Sequence, residues 1–166
     1  AGGGGVGGLA DEFQFIHQEL TGDSSVMARI DAARLGAGGA VGVMLRESTA
    51  PGARHFSTFV ANVTAGLRYS FQRREAAGNL PKPPKNTTDA AAPPGAWVRI
   101  QRRGREFTGS WSENGVAWTD ILKVSLDLPP TLLGGIAASS RVGLGSYLDM
   151  DAVVCDITVE GALPPP

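Results

Sequence analysis

The stretch that most constrains the fold is Phe107 to Trp118, FTGSWSENGVAW, preceded by the tryptophan-led run WVRIQRRG from Trp97 to Gly104. β-Favouring runs flank two compact polar turns, Gly104-Arg105-Glu106 and Glu113-Asn114-Gly115. Asn-Gly between such runs is a hairpin signal, because both residues tolerate positive φ. Period-two alternation sets Phe107, Gly109 and Trp111 on one face, with Thr108, Ser110 and Ser112 on the other. This predicts a meander of half-buried antiparallel strands. The rest of the chain reads as built to pair with it.

The same alternation recurs along the chain. In DEFQFIHQEL, Phe13, Phe15 and His17 oppose Gln14, Ile16 and Gln18, and Thr21-Gly22-Asp23 makes a turn. In VMARIDAARL, Val26, Ala28 and Ile30 alternate with Met27, Arg29 and Asp31, and the absence of a helix cap favours a strand. AVGVMLRES is the most apolar run, setting Val41, Val43 and Leu45 against Gly42, Met44 and Arg46, and ends at Pro51-Gly52. HFSTFVANV and LRYSFQRR follow around Thr64-Ala65-Gly66, the second setting Leu67, Tyr69 and Phe71 against Arg68, Ser70, Gln72 and Arg74. Glu75 to Gly95 reads as a loop, long enough to suggest an exposed or functional insertion. ILKVSLDL, LLGGIAASS and DAVVCDITVEG complete the set. Many short strands with almost no helical pattern predict an all-β sandwich.

At 166 residues the chain is long enough for one domain with a substantial core. We place a glycine-rich lead-in at 1–10, one β-sandwich domain at 11–161 and the start of a proline-rich linker at 162–166. Both ends read as cuts through a longer polypeptide, and AGGGGVGGLA lacks the charged and apolar regions of a signal peptide. A net charge of −1 supplies no whole-protein attraction to nucleic acid or anionic membrane. No apolar run reaches the roughly 18 residues that a membrane-spanning helix needs. Cys155 stands alone, so no intrachain disulfide forms, and a core position is expected for it.

TGDSSVMARI, GVMLRES, WVRIQRRGREFTGSWSENGVAW, GGIAASS and the closing aliphatic strand, in that order, resemble secreted β-sandwich modules of the concanavalin A-like lectin/glucanase superfamily. That superfamily includes domains of unknown function and "regulation of enolase"-like domains. The resemblance runs from about Asp11 to Gly161. It implies a two-sheet antiparallel jelly-roll sandwich in a secreted, often multidomain protein, and by itself no activity. Two departures stand out: Ala1 starts too late to supply the usual first strand, and the loop at 76–92 is long and proline-rich.

Glycosidases of this superfamily set paired carboxylates on one strand, with retaining pairs about 5 Å apart. The sequence has no E-x-D-x-E run. Its nearest arrangement is Asp149-Met150-Asp151, which we read as solvated acids at a strand start. Asp149 and Asp151 are weak candidate Ca²⁺ ligands, since Ca²⁺ takes about six to eight oxygens, and no other cofactor is expected. His17 and His55 lack metal spacing. Asn62-Val63-Thr64 and Asn86-Thr87-Thr88 fit the glycosylation pattern, making Asn62 and Asn86 candidate acceptors.

Sugar-binding faces combine a flat aromatic with planar polar groups. Arg68, Gln72 and Arg74 share one face of a strand; Arg99, with Gln101, and Arg46 add to it if their strands are neighbours. Tyr147 is the candidate exposed aromatic, Trp118 a candidate for packing over the hairpin or stacking, and Trp97 and Trp111 are expected in the core. Arginine stems covering a solvated outer face are the plainer explanation. These features favour a non-catalytic structural or adhesive module of an extracellular or cell-surface glycoprotein. A carbohydrate-binding module is the alternative, and a glycoside hydrolase a remote one. The missing first strand predicts an open edge beside the last strand, filled by a neighbouring module or chain.

Overall fold

The protein is described by a computed structural model covering residues 6, 9, 11–82, 87–139 and 151–163. Among them are ten strands: β1 (Gln14–Arg34), β2 (Ala40–Arg46), β3 (His55–Val63), β4 (Gly66–Arg74), β5 (Thr87–Ala91), β6 (Ala96–Arg103), β7 (Glu106–Ser112), β8 (Thr119–Ser125), β9 (Thr131–Ser139) and β10 (Asp151–Ala162). The pairings between these strands are antiparallel, in the order β5-β4-β3-β2-β9-β1-β6-β7-β8, with β10 also on β1. No helix is long and apolar enough to cross a membrane.

The sheet is organised around β1, which is 21 residues long. Its first part, Gln14 to Thr21, pairs with β9. From Ser24 onward it pairs with β6 on one edge and β10 on the other. Gly22 sits at the handover with φ of 74°, a left-handed conformation that costs glycine little. Thr21-Gly22-Asp23 was expected to end a strand; it bends one instead. The two separate sheets expected from the sequence are therefore one continuous all-β sheet, folded over through β1.

Folding the sheet brings β2 and β3 over β6, and β3 over β7. The enclosed core holds Val26, Ala28, Ile30, Val41, Val43, Leu45, Phe56, Tyr69, Val98, Ile100 and Phe107, one face of each strand as the alternation predicted. Phe56 lies 5.8 Å from Phe107, centroid to centroid. Gly109 makes that approach possible, because a Cβ there would sit 2.7 Å from Thr58 Oγ1 and 3.2 Å from the Phe56 ring. Each such side chain contributes about 1.5–3 kcal/mol by leaving water.

A second, smaller cluster lies on the opposite surface of β2, β3 and β9. Met44, Phe59 and Ala137 are buried there beneath Val6, Phe13 and Phe15, with Ala40 alongside. The described residues ahead of β1 (6, 9 and 11–13), through Val6 and Phe13, thus lie across this surface as a strap beside Phe15 of β1, and the central strands are buried on both sides. This accounts for the near-continuous apolar character of β2.

Three further expectations change. The loop between β4 and β6 contains β5, which pairs with β4, and Lys82 forms a bridge with Arg73. The hairpin around Asn114-Gly115 is present, but only Gly115 takes positive φ, and the Asn114 side chain closes the turn by accepting from the Val116 and Ala117 amides. Cys155 is not in the core: it is partly exposed on the outer surface of β10, opposite Arg29 and 4.0 Å from Asp31 Oδ2.

Candidate functional site

Two surfaces carry arginine clusters. On the front surface, under the strap, the register aligns Arg46 of β2 with His55 of β3, and His55 with Arg74 of β4. Side chains directly opposite across antiparallel strands share a face, so sequence-distant groups form one row. Asp11 of the strap enters the row from above. Its Oδ2 accepts from Arg46 Nη1 and Arg74 Nη1, each at 2.6 Å, and its Oδ1 accepts from Arg74 Nη2 at 2.7 Å. The side chains of all four residues are within 1% of complete burial.

Backbone carbonyls hold the arginines in place. Arg46 also donates to Ser48 O, Ala50 O and Pro51 O, and Arg74 to Ala53 O and Asn79 O. Burial pushes the Asp11 carboxyl upward, but hydrogen bonds from Arg74 and Arg46 outweigh it and hold the group below the usual range. Burial pulls His55 down to about 3, so its imidazole is neutral at physiological pH. The row then carries two guanidinium charges against one carboxylate. His55 Nε2 is buried without a hydrogen-bond partner, as is Oε1 of Gln72 in the next row of the same face.

The outer surface of β6, β7 and β8 is built differently. Trp97, Arg99 and Gln101 alternate outward along β6, while Val98, Ile100 and Arg102 point inward and are buried. Trp118, just ahead of β8, folds back so that the Arg99 guanidinium lies 4.0 Å from its ring centroid, within cation–π range. Beside it, Ser110 Oγ donates to Asp120 Oδ1 at 2.7 Å. Gly115 rests on Trp97, where a Cβ would come within 2.9 Å of the ring, so the loop is pinned to the platform. Trp97, Arg99 and Trp118 are each half-buried.

The sequence-derived candidates divide between these surfaces and beyond them. Arg46, Arg68, Gln72 and Arg74 do share one face of one sheet. Arg46 and Arg74, however, are enclosed and bound to Asp11 instead of facing an open groove, and Arg68 lies at the far end, its row partners being Ala61 and Ala91. Arg99 belongs to the outer surface. Asp151 is exposed at the start of β10, and no group of three or more metal-ligating side chains occurs among the described residues. Tyr147, Asp149 and Asn86 lie outside the described residues. Asn62 Nδ2, the atom a glycan would occupy, donates to Leu35 O at 2.7 Å, so the folded chain uses it as an internal tie.

The sequence reading missed Asp11 and misplaced Trp97. Asp11 stands 35 and 63 positions from its arginine partners, and a single acid before a strand carries no local signal. For Trp97 the signal was present: it shares the parity of Arg99 and Gln101, the polar side of β6, whereas Trp111 does pack against the core and stacks 4.4 Å from Tyr69.

No family model and no curated protein matches the sequence. Solved structures match the fold. A functionally unknown protein from Saccharomyces cerevisiae superposes with a TM-score of 0.74 at 11% identity, covering 93% of this chain and 77% of that one. The exoplasmic/lumenal domain of VIP36, in its Ca²⁺/Man3GlcNAc-bound form, gives 0.57 at 9% identity over 92% and 74%. A mutant GH43 protein, BlXynB from Bacillus licheniformis, gives 0.60 at 14% identity, over 80% of this chain but 26% of that one. The chain is thus similar in fold to the VIP36 exoplasmic/lumenal domain and to part of the GH43 protein.

Proposed function

We propose that this chain is a non-catalytic, carbohydrate-binding module of concanavalin A-like fold, its layers joined through β1, serving an adhesive role in a larger secreted or cell-surface protein. The observation that carries the reading is the outer platform, where the Arg99 guanidinium lies over Trp118 beside the half-buried Trp97 on the outer surface of β6. An aromatic ring offers a flat apolar partner to a sugar ring, and Arg99, Gln101 and Asp120 supply planar hydrogen-bonding groups around it. The fold shared with the VIP36 domain, crystallised with a mannose-containing glycan, supports the same reading.

The test is a glycan-array assay on the whole chain, with and without EDTA. Selective binding that Trp118→Ala abolishes is the expected result. Loss of binding in EDTA would assign a Ca²⁺ site, with Asp149 and Asp151 the first residues to replace. A chain that binds no glycan sinks the carbohydrate reading.

One observation favours a purely structural module instead. Among the described residues β10 pairs with β1 alone, and a strand of a neighbouring module pairing with its other edge is the contact this role would use. The pairing of β10 is interrupted at three places, and Asp156 takes φ of 47°. Bulges of this kind also guard an edge against indiscriminate pairing. Concentration-dependent association that is abolished by a proline in β10 would support this role.

A further inference from the structure

Granted the carbohydrate reading above, on which this inference rests, we propose that the ligand of the outer platform is an acidic glycan whose carboxylate is received by Arg99. Among the described residues the Arg99 side chain makes no hydrogen bond and no ion pair, and its Nε is buried without a partner. Its guanidinium lies 4.0 Å from the Trp118 ring centroid. Other arginines of the molecule are answered by oxygens. Arg54 forks onto Glu47, with Nε donating to Oε2 at 2.9 Å and Nη2 to Oε1 at 2.8 Å. Arg102 donates to the carbonyls of Gly104, Pro129 and Pro130. A charged donor withdrawn from water with no acceptor is an exception that asks for an explanation.

The surroundings leave the charge of Arg99 uncompensated. Burial pulls its pKa below the ordinary arginine value, and the charge of Asp120 opposes that only in part. Asp120 turns its Oδ1 to Ser110 Oγ instead of pairing with Arg99. Lys123, farther along β8, is answered by Glu106 at 2.8 Å. Arginine does not deprotonate in proteins, so the platform presents a full positive charge on a planar fork with no fixed oxygen at its donors. A carboxylate brings two coplanar oxygens, matching such a fork in geometry as well as charge.

The aromatic neighbour decides between a free carboxylate and one carried on a sugar. A uronic acid bears its carboxylate directly on the pyranose ring, so the fork and a flat apolar partner must stand side by side, as Arg99 and Trp118 do. The loop ahead of Trp118 is built to hold that arrangement. Ser112 Oγ accepts from the Asn114 and Gly115 amides, and Asn114 Oδ1 from the Val116 and Ala117 amides. Gly115 in turn rests on Trp97. A site fixed before binding loses less ordering entropy when its ligand arrives.

The experiment presents the whole chain with matched oligosaccharides that differ only at C6 of the terminal sugar: the uronate, the alcohol and the sulfate ester. The tightest set is then titrated calorimetrically. The uronate is expected to bind about 10- to 100-fold more tightly than the alcohol, the range of one charge-assisted pair. That margin should shrink as salt is raised. Arg99→Met should remove it while leaving the weaker affinity for the alcohol, with a thermal midpoint close to wild type. Arg99→Lys, which keeps the charge without the fork, should recover part of it and serves alone if Arg99→Met does not fold. Equal binding of uronate and alcohol overturns the inference and leaves the carbohydrate platform standing. A preference for the sulfate ester, or a uronate preference that Arg99→Met and Arg99→Lys leave intact, overturns it as well. Binding to no member removes the carbohydrate reading, and this inference with it.

Discussion

Arg46 and Arg74 on the front surface are fully enclosed and bound to one carboxylate, whereas Arg99 on the outer surface is half-buried and stacked on an indole. The contrast shows what burial does to the same side chain. A guanidinium removed from water must have its donors answered by fixed oxygens, and removing one partner strands the charge. A half-buried guanidinium keeps part of its surface in water and can exchange partners there, although Arg99 Nε is buried with no hydrogen-bond partner among the described residues. Arg102 falls between them: it is buried, its donors go to carbonyls of Gly104, Pro129 and Pro130, and burial pulls its pKa below the ordinary value.

The sharpest way to break the comparison is to remove charge partners on each side. Asp11→Ala is expected to destabilise the fold by about 3–5 kcal/mol, the usual cost of orphaning a buried ion pair, measured by chemical denaturation. Arg99→Ala should cost under about 1 kcal/mol by the same measurement. Equal losses would erase the distinction between the two surfaces.

Acidification is the next test. His55 titrates near 6.5 when unfolded and about 3 when folded, so the unfolded chain binds more protons between those values. Stability should be complete above pH 6.5 and fall with pH down to about 3, by at most about 1.4 kcal/mol per pH unit. Asp11, lowered in the fold, adds a loss of the same sign at still lower pH: its contribution is present above the ordinary aspartate value of 3.8 and disappears as pH falls through its folded value. His55→Gln should flatten the slope between pH 6 and 4; an unchanged slope would mean that another group carries it.

A smaller effect is expected from Gly135→Ala under the strap. A Cβ there would lie 2.0 Å from the Ile16 carbonyl oxygen, so backbone must move, at a cost of about 1–3 kcal/mol in equilibrium unfolding. The smallest change in stability should come from Trp118→Ala, with a midpoint close to wild type and the largest loss in glycan binding. A binding loss matched by an equal loss of fold would remove the platform as a recognition surface.

Much of the fold was legible in the sequence because β structure writes itself in period two. The inward sets Val26/Ala28/Ile30, Val41/Val43/Leu45 and Phe107/Gly109/Trp111 needed only alternation. Gly66 and Gly104, at positive φ in the turns after β3 and β6, were also readable as punctuation. Arg99 was legible as an outward group on a polar face. Gly22 was legible as a break in the extended run, yet whether that break ends the strand or bends it depends on which partners wait on either side.

The sequence by itself determined the strand class, the inward and outward parity of most positions and the places where the chain turns, since these follow from local sterics and the burial of apolar side chains. The tertiary structure decided the rest: that β1 serves both halves of one sheet, that β2 is covered on both surfaces, and that Asp11 meets Arg46, His55 and Arg74. Those outcomes depend on contacts between residues far apart in the chain. Their free energy comes from desolvation and charge pairing that exist only once the sheet has closed around them.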